Sequence, residues 1–355
     1  MKPDRSPVPL RSGWQRAAPE LTPTLAEAAA LVARALPQAR VLAVAPLSGG
    51  LSNTNLEVTL DRPPHRVVLR LAQHDAAQAG KEAALSALLP SRGVAAARVL
   101  HAEAHSALTG GPATVCEWID GERLDHLASR HRTGQTHGAG RRDATCGDVA
   151  ALRGMGAAVG AALAGVHAIR MPRPGFLDAA LAVAHPIDLD AAALLSFLDE
   201  RLLHGEGAAR LGRAFASSVL AYARRHATRL AEWAAPCCLV HGDCNPSNLL
   251  LRAQGAGWTV AAILDWEFAL SGVPALDFAT LLRPGVADRA GFRAGLARGY
   301  RDAGGLLPRD WERIAGIADL FAWADMLSRP GRDPAVTRDA ARVMRRLLDG
   351  EPARQ

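Results

Sequence analysis

Apolar and polar residues follow two different periods along this chain, and the change of period predicts two regions. Apolar positions at helical spacing in residues 22–36 predict a short amphipathic helix after a loose N-terminal tail, residues 1–21. Alternation of period two then predicts strands, interrupted by one helix from about Asp75 to Leu89 that closes at Pro90. The predicted strands are residues 41–46, 54–60, 66–71, 98–104 and 114–119. This order predicts a small sheet with one inserted helix.

The second half of the chain is mainly of helical period. The chain turns polar and rich in Gly and Arg from Gly121, so residues 129–143 are expected to form a flexible loop. Helical spacing follows, strand character returns briefly between about 237 and 265, and helices run to the end. The predicted helical segments are residues 147–170 and 188–233. The fold class predicted is α+β, with a small β-rich lobe and a larger, mainly helical lobe.

Composition narrows the class of protein. The chain has 355 residues, 49% hydrophobic and 21% charged, which excludes a disordered or fibrous protein. Five cysteines without a C-x-x-C pair suggest neither a disulfide framework nor a zinc site. The net charge of +6 is concentrated at the two ends and in one loop, so nucleic acid is not an expected partner. We expect no membrane partner and a cytoplasmic location, and we make no prediction of oligomeric state.

The sharpest chemical signal lies in residues 237–251 and 259–269. Two short strands there predict a hairpin whose open end brings Asn248 and Asp265 together, with Asp243 in the loop just before. Mg²⁺ prefers hard oxygen ligands, which Asn248 and Asp265 offer, and Asp243 is then left to orient a hydroxyl and accept its proton. The alternative is a turn stabilised by its own side chain–backbone hydrogen bonds.

The small lobe offers groups that suit a nucleotide. The sequence SGGLSN joins two strands, and its glycines, hydroxyls and amide fit a phosphate or a simple hairpin turn. The candidate phosphate-binding residues are Ser48, Gly49, Gly50, Ser52 and Asn53. Arg70 and Glu82 each lie on an inward face, where a lone charge is costly, so we predict that they pair. An exposed ion pair is the alternative.

These motifs resemble the aminoglycoside phosphotransferase/choline kinase family, which has a protein-kinase-like fold. HGDCNPSN with LDWE carries the resemblance, which covers roughly residues 40–330. It implies that the SGGLSN loop covers the ATP phosphates and that a hinge follows the last strand of the small lobe. The residue roles it implies are Asp243 as catalytic base, His241 as a support of the loop, Asn248 and Asp265 as Mg²⁺ ligands, Glu117 and Ile119 as hinge residues meeting adenine, and Asp277 as a structural residue.

The resemblance also implies an activity. We expect ATP-dependent transfer of the γ-phosphoryl group to a hydroxyl of a small molecule; the alternative is a nucleotide-binding pseudokinase that regulates or scaffolds. Antibiotic kinases most often have Lys where this chain has Arg70, whereas choline- and thiamine-type members of the family also use Arg. The acceptor stays open between those metabolites and an antibiotic. The domain boundaries predicted are 1–39 for the tail and first helix, 40–116 for the nucleotide-binding lobe, 117–120 for the hinge and 121–355 for the catalytic, acceptor-binding lobe.

Two further residues carry weaker expectations. His167 lies in an Ala-rich helix and is expected to be a core histidine bonded to backbone. Glu267 is expected either to face the substrate or to cap the following helix.

Overall fold

The structure is a computed structural model of the chain. It describes residues 10, 11, 13–16, 19–47, 53–72, 76–131, 146–331 and 333–350. Four members of the candidate phosphate loop, Ser48, Gly49, Gly50 and Ser52, lie outside the described residues.

The N-terminal lobe is built on one antiparallel sheet. Its strands occur in the spatial order β1-β2-β3-β5-β4. Their bounds are β1 Val41–Pro46, β2 Thr54–Leu60, β3 Arg66–Leu71, β4 Val99–Glu103 and β5 Ala113–Glu117. Helix α1, Leu25–Ala35, covers one face of the sheet, and α2, Ala76–Ser91, lies between β3 and β4 in the chain. Alternate residues of β2 and β3 are buried, and this is the period-two pattern that predicted both strands.

The C-terminal lobe is mainly helical, with two small sheets near the N-terminal lobe. Its strands are β6 Glu122–Arg123, β7 Gly175–Leu177, β8 Val183–Pro186, β9 Cys238–Val240, β10 Leu249–Gln254, β11 Gly257–Ile263 and β12 Leu270–Gly272. They form sheets of order β11-β10-β6 and β8-β7-β12-β9. Its α-helices are α3 Leu124–Arg130, α4 Cys146–His167, α5 Ala191–Leu198, α6 Glu206–Leu211, α7 Arg213–His226, α8 Ala275–Leu281, α9 Phe292–Asp302, α10 Trp311–Ser328 and α11 Pro334–Asp349. The predicted α+β, two-lobed class is therefore confirmed.

Helix α4 is the central helix of this lobe and packs closely against α9. Glycines make the approach possible: a Cβ added at Gly156 would lie 2.2 Å from Phe292 O, and one at Gly299 would lie 2.0 Å from Ala157 O. The stretch Gly147–His167 is long and apolar enough, by length and composition, to span a bilayer. Its apolar side chains belong to the main core of the lobe, as expected of a buried helix of a globular protein.

Two local predictions need correction. Helix α2 continues through Pro90 to Ser91, because a proline near the end of a helix removes few backbone hydrogen bonds, and the chain turns at Gly93 with a φ of 73°. The polar stretch after Gly121 begins with β6 and α3 rather than a loop; Leu124, Leu127 and Ala128 form a buried stripe on α3. The remainder of the predicted loop, residues 132–143, lies outside the described residues.

The expectation of a loose N-terminal tail is also wrong for its described part. Trp14 packs against the core of the C-terminal lobe, and Leu21 packs against the core of the N-terminal lobe. The described residues between 10 and 21 therefore contact both lobes. The contacts that hold them are described below.

Candidate active site

A buried guanidinium links the two lobes at the centre of the cleft. Arg70, on β3, points its Nη2 at three carboxylates: Asp265 Oδ1 at 2.7 Å, Glu267 Oε2 at 3.0 Å and Glu82 Oε1 at 3.2 Å. Glu82 belongs to α2, whereas Asp265 and Glu267 follow β11 in the other lobe. The predicted Arg70–Glu82 pair is present, and it is part of a larger cluster.

The charges of this cluster are strongly coupled. The carboxylate oxygens of Glu82, Asp265 and Glu267 lie within 4.8 Å of one another, a spacing that suits a cation. Burial raises the pKa of Glu82 to about 7, although Arg70 acts in the opposite direction. Burial also disfavours the charged form of Arg70, but the surrounding carboxylates outweigh it and raise its pKa above the usual value. The guanidinium thus supplies the positive charge that three neighbouring acids require.

Two further side chains of the N-terminal lobe hold the segment that carries Asp265. Lys81 Nζ donates to the carbonyl oxygens of Glu267 at 2.7 Å and Ala269 at 3.0 Å. Asn53 Nδ2 donates to Glu267 Oε2 at 2.8 Å. Burial lowers the pKa of Lys81, but its ammonium keeps two carbonyl acceptors. Among the described residues the buried Asn53 Oδ1 has no hydrogen-bond partner, so this amide, at the end of the candidate phosphate loop, retains an acceptor atom.

The loop after β9 carries the candidate base, Asp243. Gly242 precedes it with a φ of 79°, and a Cβ there would lie 2.3 Å from Phe268 O, so only glycine fits without strain. His241 Nε2 is 2.8 Å from Leu264 O, and its Nδ1 lies 3.2 Å from the Asp243 backbone nitrogen, which donates to it. The imidazole therefore connects the loop to the end of β11.

Asp277, at the start of α8, fixes the same loop from beneath. Its fully buried carboxylate accepts the backbone N–H groups of His241 and Gly242, each at 2.9 Å. His167 Nε2 lies 3.0 Å from the same carboxylate, and His167 Nδ1 lies 2.9 Å from the Tyr300 hydroxyl. Burial raises the pKa of Asp277, but the hydrogen bond and charge of His167 outweigh it and leave the pKa below the usual value. His167 is thus a core histidine, but its partners are side chains rather than backbone.

The hairpin of β10 and β11 brings Asn248 next to the segment of Asp265. Leu249 pairs with Ile263, and the Leu264 N–H donates to Asn248 O at 2.8 Å. The loop between the strands is short, since Gln254 pairs with Gly257. Asp265 follows with a φ of 66°, a left-handed conformation unusual outside glycine and frequent at functional sites.

Asn248 and Asn245 both orient the candidate base. Asn248 Nδ2 donates to the Asp243 carbonyl at 3.0 Å and lies 3.4 Å from its Oδ2. Asn245 Nδ2 donates to the same Oδ2 at 3.0 Å. Because Asn248 uses its nitrogen in this way, its amide oxygen points elsewhere and is the atom suited to a hard cation.

The predicted hinge lies where β5 ends. Glu117 is the last residue of β5, pairs with Val67 of β3 and forms an ion pair with Arg98 at 3.1 Å. Ile119 follows and is half-buried. Glu117 therefore ends β5 and Ile119 lies between β5 and β6, and their role as adenine contacts stays a prediction.

Sequence reasoning missed three residues of this site. Lys81 is one of only two lysines in the chain, and this rarity within an Arg-rich composition is the signal that was available. Asn245 lies inside the motif HGDCNPSN, but the motif alone assigns it no role. Arg11 gave no signal, because its partner is 232 residues away: its Nη2 lies 2.7 Å from Asp243 Oδ1. Glu267, for which two roles were open, is a buried acceptor for Arg70 and Asn53.

Known structures share this arrangement of lobes. Aminoglycoside 2'-phosphotransferase-IIIa in complex with GDP aligns over 92% of this chain and 99% of its own, at 15% identity and a TM-score of 0.66. Aminoglycoside phosphotransferase APH(4)-Ia, in complex with ADP and hygromycin B, aligns over 91% and 99%, at 14% identity and a TM-score of 0.59. A structure named as a fructosamine-3-kinase of Thermobifida fusca YX-ER1 aligns over 88% and 98%, at 17% identity and a TM-score of 0.52.

The lobes, the cross-lobe cluster and these likenesses define a kinase-like fold. No curated protein matches the sequence. The model of the phosphotransferase enzyme family matches residues 43–317, which is most of the chain. The chain therefore belongs to the phosphotransferase enzyme family, and the family resemblance inferred from HGDCNPSN and LDWE is confirmed.

Proposed function

We propose that this protein is a small-molecule kinase that transfers the γ-phosphoryl group of ATP to a hydroxyl of its acceptor. The observation that carries the proposal is the meeting of two groups at the cleft: the Asp243 loop, held by Asp277, and the Arg70–Asp265 contact at 2.7 Å that joins the lobes. Family membership supports phosphoryl transfer, and neighbours crystallised with GDP or ADP support a nucleotide substrate.

The residues near Asp265 suit Mg²⁺. Asp265 has one carboxylate oxygen bonded to Arg70, so the other is available, and its side chain is 34% exposed. Asn248 contributes an amide oxygen, so the donor set consists of the hard oxygens that Mg²⁺ prefers, with room for phosphate oxygens and water. We assign these two residues as the metal ligands. Bound Mg²⁺ would neutralise the charge of the phosphates.

Asp243 is assigned as the base. Asn245 and Asn248 approach Oδ2 of its carboxylate, so Oδ1, which accepts from Arg11, would be the oxygen that faces an acceptor hydroxyl. Asn53 and the loop before it would contact the phosphates, and Arg70 would hold Asp265 in place. The backbone at Glu117 and Ile119 would contact the adenine. Most of the rate would then come from positioning and charge neutralisation.

The acceptor is a hydroxyl compound whose class remains to be measured. The solved relatives include complexes with kanamycin and hygromycin B, so antibiotics belong in the test together with choline, thiamine, homoserine and simple sugars. The assay is acceptor-dependent ADP release, with and without Mg²⁺. Asp243→Ala should lower turnover about 10²- to 10⁴-fold while nucleotide still binds. Asp302→Asn, an exposed substitution on α9, is the matched control and should keep full turnover.

The outcomes separate the possibilities. Turnover of Asp243→Ala close to that of the parent would refute the base assignment. An Mg²⁺ titration of nucleotide binding unchanged in Asp265→Asn would refute the ligand assignment. Binding of Mg²⁺–ATP without ADP release for any acceptor would favour a pseudokinase.

A further inference from the structure

The N-terminal segment is anchored to the C-terminal lobe by a buried carboxylate. We call residues 10, 11, 13–16 and 19–21 the N-terminal strap. Asp339, on α11, is 1% exposed, and its Oδ2 accepts the backbone N–H of Arg11 at 2.9 Å and the indole N–H of Trp14 at 2.8 Å. The Trp14 ring meets Trp323 edge to face, with centroids 6.3 Å apart. These contacts fix the backbone at Arg11.

The other end of the strap is attached to the N-terminal lobe beside the candidate phosphate loop. Arg16 Nη2 donates to Asn53 O at 3.1 Å, and the Leu21 N–H donates to Thr54 Oγ1 at 3.0 Å. Asn53 is the residue that ends the loop, and Thr54 begins β2. The strap therefore contacts the catalytic loop through Arg11 and the start of β2 through Arg16 and Leu21.

The side chain of Arg11 in the strap contacts the carboxylate of the candidate base. Arg11 Nη2 lies 2.7 Å from Asp243 Oδ1, whereas Asn245 and Asn248 approach the other oxygen, Oδ2. The Arg11 side chain is 31% exposed, so it remains accessible to solvent while it contacts Asp243. The strap thus puts hydrogen-bond donors at the oxygen that an acceptor hydroxyl would approach.

Among the described residues, Arg11 is the cation that contacts the carboxylate of Asp243. The catalytic loop, residues 241–248, contains no Lys or Arg. Arg70 is engaged by three carboxylates, and Lys81 donates to two backbone carbonyls. Phosphoryl transfer spreads negative charge over the oxygens of the moving group, and an arginine supplied at that point stabilises it.

We propose that Arg11 is a further catalytic residue, a guanidinium held by the strap so that it binds both Asp243 and the phosphoryl group in transit. This inference rests on the proposed function. In the reaction, the bond from the acceptor oxygen to the γ-phosphorus forms as the bond to the bridging oxygen of ADP breaks, and the acceptor proton passes to Asp243. Arg11 keeps its protons and donates hydrogen bonds to the phosphoryl oxygens.

The test is a binding measurement that needs no acceptor. Affinity for Mg²⁺–ADP is measured by calorimetry with and without aluminium fluoride, which mimics the phosphoryl group in transit. Arg11→Ala should bind Mg²⁺–ADP as the parent does but lose about 10²-fold of the tightening that aluminium fluoride produces. Arg11→Lys should retain part of it, because it keeps the charge but not the paired donors. Millimolar guanidinium should restore part of it to Arg11→Ala.

The control is Arg34→Ala, which removes a 56% exposed guanidinium from α1 and should leave both affinities unchanged. A thermal unfolding midpoint equal to the parent's shows that each variant is folded. Equal tightening in parent and Arg11→Ala would overturn the inference and leave the proposed function standing. Acceptor-dependent ADP release, measured as described for the proposed function, that is higher in Arg11→Ala than in the parent would also overturn it, since the strap would then be inhibitory. A parent protein that binds no Mg²⁺–ADP would overturn both.

Discussion

Removing the carboxylate of Asp277 should loosen the catalytic loop without touching any group proposed to meet a substrate. Asp277 is fully buried and accepts two consecutive backbone N–H groups, those of His241 and Gly242, at 2.9 Å each. It also faces His167 Nε2 at 3.0 Å. Asp277→Ala leaves these donors without their acceptor and opens a small space beneath the loop.

The magnitude follows from the burial of each donor. A buried donor left without an acceptor costs about 1–3 kcal/mol. His241 is buried, whereas Gly242 is half-buried, so water compensates part of the second loss. We expect Asp277→Ala to lower the free energy of unfolding by about 2–4 kcal/mol. Asp277→Asn keeps the volume and one acceptor oxygen, so it should lose about half as much.

Urea unfolding of the parent and both variants measures these losses, and nucleotide affinity on the same samples reports on the loop. The control is Asp302→Ala, which removes a 66% exposed carboxylate from α9 and should change stability by less than about 0.5 kcal/mol. A loss below about 1 kcal/mol for Asp277→Ala would refute the reasoning, because the two backbone donors would then have found other acceptors.

Two further predictions test the loop and a distant ion-pair cluster. Gly242→Ala should destabilise the protein and abolish turnover, because the residue has a positive φ and its Cβ would lie 2.3 Å from Phe268 O. Gly255→Ala is the control: Gly255 has a φ of 58° and open space around it, so this change measures only the cost of the positive φ, about 1–2 kcal/mol. Equal losses of stability for both variants in urea unfolding would contradict the predicted collision. Burial raises the pKa of Asp288, but its hydrogen bond to Arg346 and the neighbouring charges outweigh burial and hold the pKa below the usual 3.8. The ionised Asp288 therefore stabilises the folded protein above that pH, and this stabilisation is lost as the pH falls below about 4. Asp288→Asn should therefore weaken the fall in the free energy of unfolding at acid pH. An unchanged fall would refute the lowered pKa of Asp288.

Local sequence patterns predicted those parts of the molecule whose partners are near in the chain. The bounds of β1, β2 and β3 agree with residues 41–46, 54–60 and 66–71, because polar turns separate these strands, and burial alternates without a break in β2 and β3. The β10–β11 hairpin follows the same logic, and it brings Asn248 beside the segment of Asp265.

The local sequence pattern gave wrong helix and loop boundaries where local and tertiary preferences compete. Pro90 predicts a helix stop, but it lies close enough to the end of α2 for the helix to include it. Charged residues around α3 hid the apolar stripe of Leu124, Leu127 and Ala128, which the tertiary core buries. Contacts across hundreds of residues leave no local pattern at all, and Arg11 is the clearest instance.

The long-range contacts also explain why the two lobes meet in one orientation. Arg70 and Lys81 extend from the N-terminal lobe and bond to the segment of Asp265 and Glu267 in the C-terminal lobe. A buried guanidinium among three acids is stabilising only with all its partners in place, so a relative shift of the lobes by a few ångströms would leave buried charges unpaired. The strap makes a second connection across the same cleft through Asp339. Two polar connections resist both sliding and twisting, so the spacing between Asn53 in one lobe and Asp243 in the other depends on polar contacts as well as on apolar packing.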